Sequence, residues 1–326
     1  MIDFRYHLVS LIAVFLAVAL GIVIGTTQLN GPVLTNLQSQ VTALQEDKRL
    51  LEDETRQLQT TLDQVGSFEE AVGPALVADT LAGRSVLLVG GSEDVPAETV
   101  EGITALLADA GATVTGALRL PAGFGDPANE SGLRSYLTGP GLPPSVTPAE
   151  TDDTGELLAD VLADVLVVPG ADSEEAGVVP DAAATASVLA GLEELEVLSR
   201  DTASVAPADF AVLLTAGTAS GDDAEERTTA LVQLATALDA RGSGAVIAGD
   251  LASVEDGGLV GAVRADRPVS DGLSTIDNAD TPAGQISTVL ALVAEATDTS
   301  GQYGVGEGTQ PVPTPVPCAA RVGAPR

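Results

Sequence analysis

At 326 residues the chain exceeds a typical single domain, so one large domain with accessories, or two domains, is expected. Its 47 acids against 14 bases give a formal charge of −33, a surface that repels nucleic acid and anionic lipid headgroups. With 5 Phe, 3 Tyr and no Trp, the core must be Val, Leu, Ile and Ala, which suits strands covered by helices. Cys318 is the only cysteine, which excludes an intrachain disulfide and a thiol-based zinc site.

The first element is an apolar helix. From Leu8 to Gly25 there is no charge, and Ser10 alone is clearly polar. That length reaches a membrane span and exceeds a usual signal-peptide core. Phe4 and Tyr6 stand where an interfacial aromatic belt would, and Phe15 lies within the run. Gly21 and Gly25 form a small-xxx-small pair that suits either close helix approach or simple tolerance of glycine in lipid. Ala17-Val18-Ala19 has the look of a signal-peptidase site, but apolar sequence continues past it. We read residues 8–25 as an uncleaved anchor. Arg5, His7 and the α-amino group precede it, and no charge follows until Glu46, so the positive-inside rule puts residues 1–7 in the cytoplasm and the bulk outside.

The next element is a rod over residues 34–65. Leu34, Val41, Lys48, Thr55 and Leu62 take heptad position a, and Leu37, Leu44, Leu51, Leu58 and Val65 take position d. An unbroken seam of this length predicts a coiled coil, and leucine at most d positions suits a parallel homodimer. Lys48 and Thr55 weaken the seam and favour low order with a fixed register. The competing reading is an amphipathic helix packed on its own domain. As a stalk, the rod would hold the following domain about 45–50 Å from the bilayer.

Residues 68–303 read as an α/β domain. Strands are expected at Ser85–Val89, Val114–Leu118, Asp164–Val168, Phe210–Thr215 and Ala245–Ala248. Helices are expected from Pro96 to Gly111 and near Ala183–Leu195, Ala224–Ala240 and Pro282–Ala296. The alternation implies a mostly parallel sheet with helices on both faces. Pro121–Pro148 reads as a long insertion or mobile loop, and residues 304–326 as a disordered Pro/Gly-rich tail.

The domain offers little for catalysis. His7 is the only histidine and precedes the anchor, which removes Ser-His-Asp and Cys-His chemistry from the external part. "GGSED" (Gly90 to Asp94) has neither a G-x-G-x-x-G pattern nor a Walker lysine, and its acids repel phosphate. "GTASG" (Gly217 to Gly221) places Ser220 one residue too late for a nucleophile elbow. Asp277 and Asp280 could ligate a hard cation, but Asp280 or Thr281 as a helix cap ahead of Pro282 has the better mechanics. A glycosidase built on two carboxylates would lack aromatic stacking surfaces. We name no catalytic residue, cofactor or metal ligand.

"FRYHLVSLIAVFLAVALGIVIG", followed by the leucine-spaced rod, resembles the start of the actinobacterial MctB-like family. "STIDNADTPAGQISTVLALVAEA" with "GQYGVG" (Gly301 to Gly306) resembles its C-terminal end. The resemblance implies a copper-transport protein of the outer membrane with a channel function. It also implies a link to cell-division and cell-envelope machinery, where relatives recruit partners through an external coiled coil. Copper(I) favours Met, Cys or His; this chain has Met1, His7 and Cys318, one of each. Membrane barrels need many alternating strands of about ten residues, and none is evident. The residues therefore point to a non-enzymatic, dimeric, membrane-anchored scaffold or regulator of envelope and division proteins. The alternative is the copper homeostasis and outer-membrane location that the family implies.

Overall fold

The computed structural model describes residues 4–92, 94–170 and 179–313, with side chains described for all of these except 4 and 26–34. The chain divides into two units, Met1–Val65 and Gly66–Arg326. Helix α1 (Phe4–Val77) supplies the whole described part of the first unit and opens the second. Within the first unit, Arg5–Gly25 is long and apolar enough to cross a membrane, and none of it is buried.

In the second unit α1 ends at Val77, where Asp79 takes a left-handed φ of 57° and Thr80 N–H bonds back to the Val77 carbonyl. The elements then run β1 (Ser85–Gly90), α2 (Ala97–Asp109), β2 (Thr113–Arg119), α3 (Glu130–Leu137), α4 (Thr154–Leu166), α5 (Ala182–Glu194), β3 (Ser199–Arg200) and β4 (Phe210–Leu214). They continue α6 (Ala224–Arg241), β5 (Ala245–Ala248), α7 (Leu259–Ala265), α8 (Arg267–Ser270), β6 (Ser274–Ile276), α9 (Pro282–Glu295) and β7 (Gln302–Tyr303).

The strands make one open sheet in the order β3-β2-β1-β4-β5-β6-β7. All neighbours pair in parallel except β2 and β3. Alternating side chains serve two cores. Leu87, Val89, Leu213 and Ile247 face one layer, packed with α3 to α7. Val86, Leu88, Val212 and Val246 face the other, packed with Val77 of α1, α2 and α9. The central strands are buried on both faces, and they read as continuous aliphatic runs for that reason.

The expected strand at Asp164–Val168 is corrected. Asp153 accepts hydrogen bonds from Gly155 and Glu156 N–H and opens α4, whose apolar stripe of Leu158, Val161, Leu162 and Val165 continues through Leu166. Only Val167 makes a strand-like bridge, to Ala208. A short apolar run satisfies helix and strand alike, and the cap eleven residues upstream of Asp164 decides between them. Pro121–Pro148 likewise carries α3 and buries Phe124, Leu133, Leu137 and Val146, so it is a packed segment.

Strands β3, β6 and β7 escape a sequence reading because they are two or three residues long, and Ser274 and Thr275 are polar although fully buried. The ordered domain also extends beyond Tyr303. Gly304 N–H bonds to the Gln310 carbonyl, and Gln310 N–H to that of Gln302. Residues 314–326, with Cys318, lie outside the described residues.

Candidate functional site

In a doubly wound sheet, ligands bind outside the carboxyl ends of the strands where the winding reverses. Here that point lies between β1 and β4, since the chain leaves β1 towards β2 and leaves β4 towards β5. The strand ends are joined by Gly91 N–H, which bonds to the Leu214 carbonyl at 2.7 Å, and by Ser92 Oγ, which donates to the Ala216 carbonyl at 3.2 Å. A cavity of about 280 Å³ opens there between the β1 and β4 loops and the start of α6. Gly217 N–H is fixed by Asp250 Oδ1 at 2.9 Å.

Arg227 of α6 reaches across this crevice. Its Nη2 donates to the Gly91 carbonyl at 3.0 Å and the Leu120 carbonyl at 2.8 Å, and its Nη1 donates to that of Pro121. The guanidinium thus straps the ends of β1 and β2 to the helix. Gly125 permits the approach: its φ is 79°, and a Cβ there would lie 2.8 Å from Arg227 Cα. Besides Arg227, the polar side chains of the lining are hydroxyls and the carboxylates of Asp94, Asp126, Asp222 and Asp223, and Leu231, Leu259, alanines and glycines complete it. Such a lining repels phosphate and other anions.

A second constellation sits at the far edge of the sheet. Asp277, fully buried after β6, pairs with Arg264 Nη1 at 2.7 Å. Its Oδ1 accepts from Val305 N–H at 2.7 Å and its Oδ2 from Gly306 N–H at 3.0 Å. Arg264 also donates to Thr275 Oγ1 and the Tyr303 carbonyl. A Cβ on Gly304 would stand 1.9 Å from Asp277 Oδ1, so the chain wraps the carboxylate only with glycine there. The two C-terminal stretches that carry the family resemblance therefore meet at one ion pair. Asp277 is a counter-ion and Asp280 is exposed, while Thr281 caps α9 by accepting from Gly284 N–H and Pro282 opens the helix.

A second cavity, about 520 Å³, lies at the amino ends of β5 and β6. Glu295 Oε1 accepts from Ser274 N–H and Asp239 Oδ1 from Ala245 N–H, both at 2.9 Å. Burial pushes Glu295 up to about 8 and Asp239 up to about 6, and the charge of Asp298 adds to both. Among the described residues, no three His, Cys, Asp or Glu side chains form a group able to hold a metal ion.

The anchor and seam residues lie on α1. Leu8 and Phe15 are exposed, and nothing approaches within 4 Å of a Cβ built at Gly21 or Gly25. Leu37, Val41, Leu44, Leu51, Leu58, Leu62 and Val65 are between 47% and 69% exposed. Lys48 and Thr55 are exposed among them, and Leu34's side chain lies outside the described residues. Sequence reasoning missed Arg227, Arg264, Asp239 and Glu295. The available signal was scarcity: with 14 bases in the chain, an arginine within an apolar stripe has a structural partner to find.

Taken together, an apolar N-terminal helix and a doubly wound α/β domain with an acidic crevice define a protein built like a membrane-anchored α/β domain. A family profile described as "Copper transport outer membrane protein, MctB" matches residues 1–314, and the chain belongs to that family. It is 30% identical over 317 residues to the copper transporter MctB of Mycobacterium tuberculosis, covering 96% of this chain and 99% of that protein. The same figures hold for the Mycobacterium bovis protein. The Mycobacterium leprae copper transporter MctB is 29% identical over 323 residues, 97% of this chain and 100% of that protein.

Proposed function

We propose that this protein is a membrane-anchored component of copper handling in the cell envelope, with its N-terminus cytoplasmic and its α/β domain outside. The observation that carries this is the match to a copper-transport family over residues 1–314, which takes in anchor and domain together. The reading assigns a non-enzymatic role exerted through contacts with other components. The sheet supports that assignment, because aliphatic side chains fill both its faces and helices cover it, so it encloses no pore. Copper is the cargo of the system in this reading.

Deletion of the gene in its own organism, with growth and cell-associated copper measured across a copper series, tests the proposal. The deletion should shift copper tolerance, and the full chain should restore it where a version lacking residues 5–25 does not. Unchanged copper tolerance would sink it. Fractionation of the tagged chain would separate the inner-membrane anchor from the outer-membrane location in the family's description.

The exposed leucine face of α1 favours a second reading, a scaffold for envelope and division proteins. That reading predicts a shape or septation defect at every copper concentration.

A further inference from the structure

We infer that two copies of this chain pair in parallel and in register through residues 37–65 of α1, and that a charged layer at Lys48 sets the register and the number of strands. The inference is independent of the copper reading. The face at issue is the a/d stripe, whose seven aliphatic side chains lie 47–69% exposed on a helix that, among the described residues, is the only element of its unit. A leucine face of this length in water favours burial, and the strict spacing of three and four fits a second helix of the same kind. The Arg5–Gly25 segment orients every copy the same way if it crosses the membrane, which makes parallel pairing the accessible geometry.

The charge pattern selects the occupant. In a parallel pair, the side chain at position a enters a hole formed by four residues of the facing helix. For Lys48 in register, that hole is Leu44, Asp47, Lys48 and Leu51 of the second copy. The aliphatic stem lies on the leucines while the ammonium reaches Asp47 across the seam. On its own helix Lys48 Nζ already stands 3.3 Å from Glu52 Oε1. The layer therefore sets two ammonium groups among four carboxylates.

A slip of one heptad breaks this arrangement. One Lys48 would then meet Leu37, Gln40, Val41 and Leu44, a hole without an acid. A third strand would bury the ammonium more deeply and leave it less room to reach water. Asp47 and Glu52 face each other across the pair as like charges, and Lys48 is the residue that offsets them.

The test uses the full chain in membranes with Cys318→Ser and one new cysteine at a time. Leu44→Cys and Leu51→Cys sit on the seam, and Ser39→Cys and Asp53→Cys sit opposite. Identical positions can form a disulfide only where the two copies bring their Cβ atoms within about 4.5 Å. Mild oxidation should give the covalent dimer roughly ten-fold faster at 44 and 51 than at 39 and 53. Equal rates on both faces would overturn the inference. As a check free of cysteine, the unsubstituted chain in detergent should have twice the chain mass once bound detergent is subtracted. A monomeric mass, or a larger multiple, would overturn it as well.

Discussion

The carboxylate of Asp277 stands 2.7 Å from the guanidinium of Arg264, with Asp277 fully buried and Arg264's side chain 10% exposed. Every oxygen of that carboxylate has a donor, from Arg264, Val305 and Gly306. Removing one member of such a pair leaves an uncompensated buried charge, at a cost of about 3–5 kcal/mol. Asp277→Ala should lower unfolding stability by that order in urea titrations. Gly304→Ala should also destabilise, since its Cβ would fall 1.9 Å from Asp277 Oδ1. The double change of Arg264→Met with Asp277→Leu should recover part of the loss, because no lone charge then remains.

Glu295 and Asp239 make stability depend on pH in the direction opposite to that of most carboxylates. Burial raises Glu295 from 4.5 to about 8 and Asp239 from 3.8 to about 6, so the folded state holds both protons more tightly than the unfolded chain. The stabilisation is full below the ordinary values. It fades as pH rises, through about 4 to 6 for Asp239 and about 4.5 to 8 for Glu295. Asp271, Asp298, Arg84 and Arg241 line the same cavity, and of these the charge of Asp298 raises both groups further. The contribution of this pair to the melting temperature should therefore fall between about pH 4 and pH 8, by an amount equivalent to a few kcal/mol at most. Glu295→Gln should flatten the upper half of that decline, and an unchanged slope in the variant would contradict the assignment.

Arg227 should hold the walls of the switch-point crevice together. Its three carbonyl contacts join β1, the end of β2 and α6, and hydrogen bonds from a charged donor contribute about 1.5–3 kcal/mol each, not additively. Arg227→Met keeps the stem and removes the donors. It should speed amide exchange at Gly91 and Leu120 well ahead of the core strands. Equal protection in the two proteins would show that the strap contributes nothing.

The layers of this fold were legible where physical chemistry acts locally. The runs Ser85–Gly90, Phe210–Leu214 and Ala245–Ala248 read as buried strands because both faces need aliphatic side chains. The cap and proline at Thr281-Pro282 placed α9 in the same way. The Asp164–Val168 run misled because its helix is announced at Asp153, well outside a strand-length window. Ser274 and Thr275 gave no strand signal, since their burial comes from sheet neighbours distant in sequence.

The buried charges were illegible for a related reason. Asp277 and Arg264 are thirteen residues apart, and Glu295 reaches Ser274 over twenty-one, so only the tertiary fold reveals the partners. Asp277 was noticed as an acid in a suggestive stretch, but its role as counter-ion depended on an arginine that no spacing rule connects to it.

Lys48 gives the last prediction, because its effects on stability and on specificity should run in opposite directions. A lysine at position a weakens a seam, so Lys48→Leu should raise the stability of the paired helices in thermal scans of the full chain in detergent. The same change removes the only positive charge at an a or d position of the seam and fills its hole with leucine, so strand number should become less well defined. Species heavier than two chains should then appear in sedimentation. Lys48→Glu should act the other way, setting six carboxylates in one layer and shifting the chain towards monomer, more strongly at low salt than at high salt. A seam indifferent to both changes would mean that α1 uses its leucine face for some other contact.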